Sequence, residues 1–160
     1  MRNTHKRTLI TTPLLSVAFL GLAACSSGGE SSEKPEAKPA PASSVKIADS
    51  PVGRILVDGT GRTLYGFTKD KPGTSGACDS ACIAVWPALT TAQDVAAGQG
   101  VDSALLKETK LSEGAEQATY GDWPLYYYVG DATGGDVNGQ GLDNEWFVVG
   151  ADGKLIKTAP

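Results

Sequence analysis

The chain carries one motif twice. Thr63-Leu64-Tyr65-Gly66-Phe67-Thr68-Lys69-Asp70, with Trp86 downstream, and Pro124-Leu125-Tyr126-Tyr127-Tyr128-Val129-Gly130-Asp131, with Trp146 downstream, share the pattern Leu-Tyr-x-aromatic-x-x-Asp. Leu64 and Leu125 are 61 residues apart and Trp86 and Trp146 are 60 apart. An offset held that closely marks a duplicated unit. Neither copy could close a core alone, so the simplest packing sets the two about a pseudo-twofold axis.

Around the motif the pattern is mostly β. Arg54–Val57, the turn at Asp58-Gly59-Thr60-Gly61 and Thr63–Phe67 read as a hairpin. Glu116–Tyr120, the Gly121-Asp122 turn and Leu125–Val129 read as a second, and Trp146–Val149, Gly150–Gly153 and Lys154–Ile156 as a third. Further strands are expected at Ile83–Leu89 and Lys107–Leu111, the latter turning at Ser112-Glu113-Gly114. The helix candidate is Val101–Leu106, with Asp102 as its N-cap. About eight short strands with 20 glycines in the chain predict an all-β fold: an antiparallel sandwich or small barrel with one short helix.

The N-terminus has a different character. Arg2, His5, Lys6 and Arg7 precede an apolar run from Leu14 to Leu22, the layout of a secretory signal peptide and too short to span a bilayer. Leu22-Ala23-Ala24-Cys25 resembles the lipobox of bacterial lipoproteins, in which the Cys thiol receives a diacylglycerol and becomes the first mature residue. Two acyl chains suffice for lasting attachment to a bilayer. Residues 1–24 then form the signal peptide, and 25–44 the lipidated Cys25 with a linker. Ser26–Ser44 has no aromatic and no branched aliphatic residue, too little apolar surface to offset its ordering entropy. Stretched at about 3.3 Å per residue, it would hold the domain up to roughly 60 Å from the lipid. Residues 45–160 make a single β domain of two repeats, about 53–90 and 115–153.

Cleavage before Cys25 removes Met1 and His5, the chain's one Met and one His. A mature chain without them has no Ser-His-Asp triad, no Cys-His pair, no His-built metal site and no His- or Met-ligated haem. Ser31-x-x-Lys34 has the spacing of a penicillin-recognising enzyme but lies in the tether, where nothing packs against the Lys to lower its pKa. Cleavage also takes Arg2, Lys6 and Arg7 and no acid, so the net charge of −4 falls by three. That acidity argues against nucleic acid as a partner. Cys78 and Cys82 are left together in an oxidising compartment, where a disulfide is the default. A helix-like turn at Asp79-Ser80-Ala81 would bring their Cα atoms within reach.

Strand geometry puts Tyr65 with Phe67, and Tyr126 with Tyr128, on one face. With Trp86 and Trp146 they read as a junction core; the rival reading is a ligand groove, with Tyr127 as its exposed member. Asp70 and Asp131 stand where their strands end and fit turns in which the carboxylate accepts a backbone N–H. The sharper alternative has the two carboxylates meeting across the axis to bind a cation or share a proton. Asp136-x-Asn138-x-Gln140-Gly141 spaces its oxygens like a calcium loop, but Phe147 stands where the bidentate Glu should be.

The same residues carry a family resemblance. Gly61-Arg62-Thr63-Leu64-Tyr65, the Cys78–Cys82 pair leading to Trp86-Pro87, and Pro124-Leu125-Tyr126 with Asp136–Gly141 resemble the bacterial lipoproteins described as a secreted repeat of unknown function. The resemblance spans residues 53 to 153 and implies an extracytoplasmic module. The expected function is a membrane-anchored, non-catalytic binding or structural module without cofactor. Its partners would be the lipid bilayer and an envelope protein or small ligand. Two alternatives stay open: a haem-handling or electron-transfer accessory using Tyr ligation, and a carboxylate-based hydrolase.

Overall fold

The computed structural model describes residues 44–159, apart from 73, 75, 93, 112 and 113. Cys25, the signal peptide and the linker as far as residue 43 lie outside the described residues; Ser44 already belongs to the first strand. In order the elements are β1 (Ser44–Ser50), β2 (Gly53–Asp58), β3 (Tyr65–Phe67), α1 (Ser80–Val85), β4 (Thr90–Thr91), β5 (Ala96–Ala97), β6 (Leu106–Lys110), β7 (Glu116–Tyr120), β8 (Trp123–Pro124) and β9 (Trp146–Val148), with a 3₁₀ turn at Leu142–Asn144. The protein is all-β and sandwich-like, built from two repeats, and its described strands close no barrel.

Each repeat contributes the same pieces. β1 pairs antiparallel with β2, Ile47 opposite Leu56, and β6 pairs with β7 in the same way, Glu108 opposite Ala118. After each pair comes the motif strand, and after a long loop the strand that follows the Trp. That last strand crosses to the other repeat. β9, in the second repeat, pairs with β3 of the first, placing Val148, Phe147 and Trp146 opposite Tyr65, Gly66 and Phe67. Reciprocally, Ala88 of the first repeat bridges to Tyr126 of the second.

The equivalence extends to single hydrogen bonds. The amide of Leu56 donates to the Val149 carbonyl (2.8 Å), Val149 to Leu64 (3.1 Å) and Leu64 back to Leu56 (3.1 Å). In the other half Ala118 donates to Leu89 (2.9 Å), Leu89 to Leu125 (2.8 Å) and Leu125 back to Ala118 (3.0 Å). The pseudo-twofold axis passes between Tyr65 and Tyr126, which form a bridge with each other.

Because these strands are covered on both sides, their side chains feed two cores alternately. Leu56, Leu64, Leu125, Tyr127 and Val149 enter one cluster; Ile55, Val57, Tyr65, Phe67, Tyr126 and Val148 enter the other. Strands buried on both faces carry unbroken apolar runs in place of polar alternation, as in Ile55-Leu56-Val57 and Trp146–Val149.

The expected second and third hairpins are present. Gly121 and Asp122 both take positive φ, +57° and +69°, the geometry of a two-residue hairpin turn. Gly150 donates nothing unusual here: its amide bonds the Lys154 carbonyl at 2.8 Å, closing the third. The first hairpin is present too, its arms joined by the Val57–Thr63 bridge and by the Leu64 to Leu56 and Asp58 to Arg62 bonds, while the longer ladders of β2 and β3 go to β1 and β9.

Two expectations are corrected. The strand at Ile83–Leu89 is helix over its first part: Asp79 caps α1, its carboxylate accepting the Cys82 amide at 2.9 Å. The helix at Val101–Leu106 is a pair of turns, in which Leu105 and Leu106 donate to Asp102 and Ser103 and Asp102 accepts the Ala104 amide. Leu106 then enters β6. β-branched Ile83 and Val85 suggest strand locally, but the cap and the nearby disulfide decide for helix.

Candidate functional site

The duplicated motif converges on the pseudo-twofold axis. Phe67, Trp146, Trp86 and Tyr128 form one column of stacked rings, with successive centroids 4.2, 3.9 and 4.5 Å apart. The two indoles at its centre lie within 2° of parallel. Tyr65 meets Trp86 edge-on at 5.4 Å, and Tyr126 meets Trp146 edge-on at 5.3 Å. Every contact has its twin across the axis. Tyr65, Phe67, Trp86, Tyr126 and Trp146 are buried, while Tyr128, at the end of the column, is part-exposed. This burial is in keeping with the core reading of these residues, with Tyr128 the least covered of them.

Each motif Asp stands beside the Tyr hydroxyl of the other repeat. The Tyr65 hydroxyl donates to Asp131 Oδ2 at 2.8 Å and accepts the Gly139 amide at 3.2 Å. Gly139 has to be glycine: a Cβ there would run into the Trp86 and Tyr65 rings. The Asn138 amide donates to Asp131 Oδ1, and the Ala77 amide donates to Asp70 Oδ1, in both cases seven residues on from the Asp. The carboxylates thus close loops longer than the tight turn expected. Neither Asp pairs with the other, so the shared-cation and shared-proton alternative is not what the structure builds. Asp70 sits beside the Tyr126 hydroxyl, and burial raises the pKa of both. Burial raises Asp131 and Tyr65 likewise, the Asp131 charge adding to the rise at Tyr65.

Tyr127, the exposed member in the rival groove reading, is 9% exposed and belongs to the core of Leu56, Leu64 and Val149. Its hydroxyl donates to Asp58 Oδ2 at 3.1 Å and the Arg62 guanidinium lies 3.8 Å from its ring centre. The sequence reading missed this Asp58–Tyr127–Arg62 set. Its signal was available: Asp58 precedes a Gly-rich turn, and its Oδ1 accepts the Thr60 and Arg62 amides.

Cys78 and Cys82 form a disulfide across the start of α1, their Cα atoms 5.2 Å apart. The calcium-loop residues do not converge. Asp136 accepts the Ala132 and Thr133 amides, Asn138 Nδ2 donates to the Gly130 carbonyl, and Gln140 bridges Val148 to Ile156 and Thr158. Among the described residues no three of His, Cys, Asp and Glu gather as a metal site would require. The hydroxyls of Tyr65, Tyr120 and Tyr127 are committed to Asp131, Ala151 and Asp58, which removes them as ready iron ligands.

A cleft of about 620 Å³ opens beside this core, between α1 and the β6–β7 turn, with Tyr126 and Gln117 on its inner wall.

The fold and site define a duplicated all-β module whose two halves are interlocked by exchanged strands and by a shared aromatic column. The chain belongs to the family described as a secreted repeat of unknown function, whose model matches residues 46–90 and 109–150. The protein is accordingly extracytoplasmic. Each match begins within the strand that precedes the motif hairpin, β1 in one repeat and β6 in the other. No curated protein and no solved structure matches the chain. Among the described residues no helix is long and apolar enough to cross a membrane.

Proposed function

We propose that this protein is a non-catalytic binding module, anchored to the cell membrane by acylated Cys25 and held away from it on the tether that ends before Ser44. The observation that carries the non-catalytic reading is the reciprocal use of the motif. Tyr65 of one repeat holds Asp131 of the other, and the remaining motif aromatics stack on one another, so these groups hold the fold and face no reacting bond. Support for the anchor comes from Leu22-Ala23-Ala24-Cys25 following a short apolar run. An acidic mature domain on a long tether suits a small ligand or an envelope protein as partner.

Mass spectrometry of protein isolated from membranes tests the anchor. A mature N-terminus at Cys25 carrying a diacylglycerol, with Cys25→Ala appearing in the medium or unprocessed, is the expected result. An unmodified mature N-terminus at another residue overturns it.

A further inference from the structure

The last segment of the chain shows what one groove of this fold holds. Residues 154–158 turn back beside β9, Leu155 bridging to Val149. The Ile156 amide donates to the Val148 carbonyl at 3.0 Å, and Gln140 Nε2 donates to the carbonyls of Ile156 and Thr158 at 2.6 and 2.9 Å. The Ile156 side chain lies against Gly53 and Gly150, where a Cβ would stand 4.0 and 3.3 Å from it. Tyr65 and Tyr126 use their backbone bonds on each other, so Val148 opposite Tyr65 and Ala88 opposite Tyr126 turn their own amides and carbonyls to the far side. For Val148 that side is filled.

In the first repeat the same groove is open. The matched hydrogen-bond circuits pair Leu56 with Ala118 and Val149 with Leu89, which makes Ala115, Ala88 and Thr90 the counterparts of Gly53, Val148 and Gly150. All three counterparts line the cleft. So does Asp79, nine residues after Asp70 as Gln140 is nine after Asp131. No described strand runs beside Ala88 on this side; its carbonyl accepts the Thr90 amide, two residues on, and the chain leaves to pair β4 with β7 and β5 with β1.

The surface around the two grooves differs in the same sense. Val129 donates to the Val85 carbonyl at 3.1 Å, as Thr68 donates to Glu145 at 2.9 Å. On the side of the filled groove stand Thr68, Asp143 and Glu145, the last paired with Lys69 at 2.6 Å. On the side of the open one their counterparts are Val129, Ile83 and Val85, the exposed large hydrophobics among the described residues. The fold accepts polar side chains at these positions, so its own packing does not require the apolar ones.

We propose that the cleft is a strand-addition seat for an extended segment of a partner protein, which enters beside Ala88 as residues 154–158 lie beside Val148. Backbone bonds to Ala88 would give affinity, and a branched aliphatic side chain in the place of Ile156 would give specificity. That side chain meets Ala88, Leu111 and Ala115, while the aliphatic surface of Ile83, Val85 and Val129 extends the contact beyond the groove. Asp79 is the one charged residue on the described wall, so a basic flank suits the guest, as Lys154 and Lys157 flank Leu155-Ile156. The chain's own tether does not fit, because residues 26–44 hold no branched aliphatic side chain. The inference rests on reading the domain as a binding module and names what it binds.

The test is amide NMR of the full-length protein in detergent micelles, titrated with a blocked heptapeptide copying residues 153–159. Saturable shifts at Ile83, Ala88, Thr90, Ala115 and Gln117 are expected, with Val148 and Gly150 unmoved. The same peptide with aspartate in the place of Ile156 should bind about tenfold or more weakly. The triple variant Ile83→Asp, Val85→Glu, Val129→Thr takes the residues of the second repeat; it should weaken the peptide by about tenfold and leave the melting temperature little changed. Ala115→Trp, which fills the groove, should abolish binding. No saturable shift, shifts confined to Val148, Gly150 and Ile156, equal binding of the aspartate peptide, or undiminished binding by the triple variant and Ala115→Trp would each overturn the proposal. A dimer that Ala115→Trp abolishes would give the seat to a second copy and overturn the choice of partner. Fractionation of the same cells reports on anchoring separately, so an anchored protein that ignores the peptide refutes the strand seat alone.

Discussion

Tyr65 and Tyr126 exchange both of their backbone hydrogen bonds, each amide donating to the other's carbonyl at 2.9 Å. The contact joins the same motif position in the two repeats, so it lies on the axis that relates them. On either side the strands following Trp86 and Trp146 cross over, and neither repeat keeps its own last strand. A unit built this way has no folded half. The hydroxyls of the same two residues end in different surroundings, and that asymmetry can be measured.

Tyr65→Phe removes the bond to Asp131 and leaves both that carboxylate oxygen and the Gly139 amide without the hydroxyl. The loss should be about 1–3 kcal/mol. Tyr126→Phe removes a hydroxyl that faces Asp70 and Gln117 without a well-aligned bond, so it should cost less. Urea denaturation of both variants gives the comparison; equal losses would mean the two copies are equally closed.

Truncating the centre of the aromatic column should hurt more than truncating its end. Trp86→Ala and Trp146→Ala each empty a buried site and should cost about 3–5 kcal/mol. Phe67→Ala belongs with them, whereas Tyr128→Ala, part-exposed, should cost less. Thermal melts rank the four, and a Tyr128 variant as damaged as the Trp variants would contradict the order.

Asp70 and Asp131 are both raised above the ordinary 3.8 by burial. In a carboxylate so raised, the folded state holds its proton at a pH where the unfolded state has released it. Stability then falls as pH rises from 3.8 through the folded value, and the penalty is full above it. Mild acidification from neutrality should therefore add stability, and Asp70→Asn should flatten that part of the curve. Asp136, held low by the Thr133 and Ala132 bonds, works in the opposite sense, its contribution lost as pH falls below 3.8. A stability curve that drops on mild acidification would contradict the assignment.

Reducing the Cys78–Cys82 disulfide opens a loop of only a few residues, which should cost about 2 kcal/mol. The effect should be local. Amides of α1 and of Trp86, which donates to the Cys82 carbonyl, should exchange faster while Leu56 and Val149 stay protected. Global unfolding on reduction would contradict this.

Much of the fold was legible in the sequence because short-range chemistry decides it. The Gly121-Asp122 turn, the third hairpin and the repeat itself need no knowledge of distant partners. The exchange of strands was not legible, since a strand pairing with its own repeat or with the other has the same apolar pattern. The rival groove reading of Tyr127 fails for a related reason: alternation assigns one buried face and one exposed face, and here another core covers the second. The helix was misplaced because Ile83 and Val85 outweighed Asp79, although the four-residue Cys spacing already demanded a turn there. β1 escaped notice because Ser44–Ser50 is bounded by polar residues and half-exposed along most of its length.

The claim that the repeats fold as one interlocked unit is tested most directly by native-state hydrogen exchange at Tyr65, Tyr126, Leu89 and Val149, whose amides hold the crossing strands. All should open with the same free energy, equal to that of global unfolding, because no repeat can release its partner's strand and stay folded. Exchange of Leu89 and Tyr126 through an opening that leaves Tyr65 and Val149 protected, or the reverse, would contradict it.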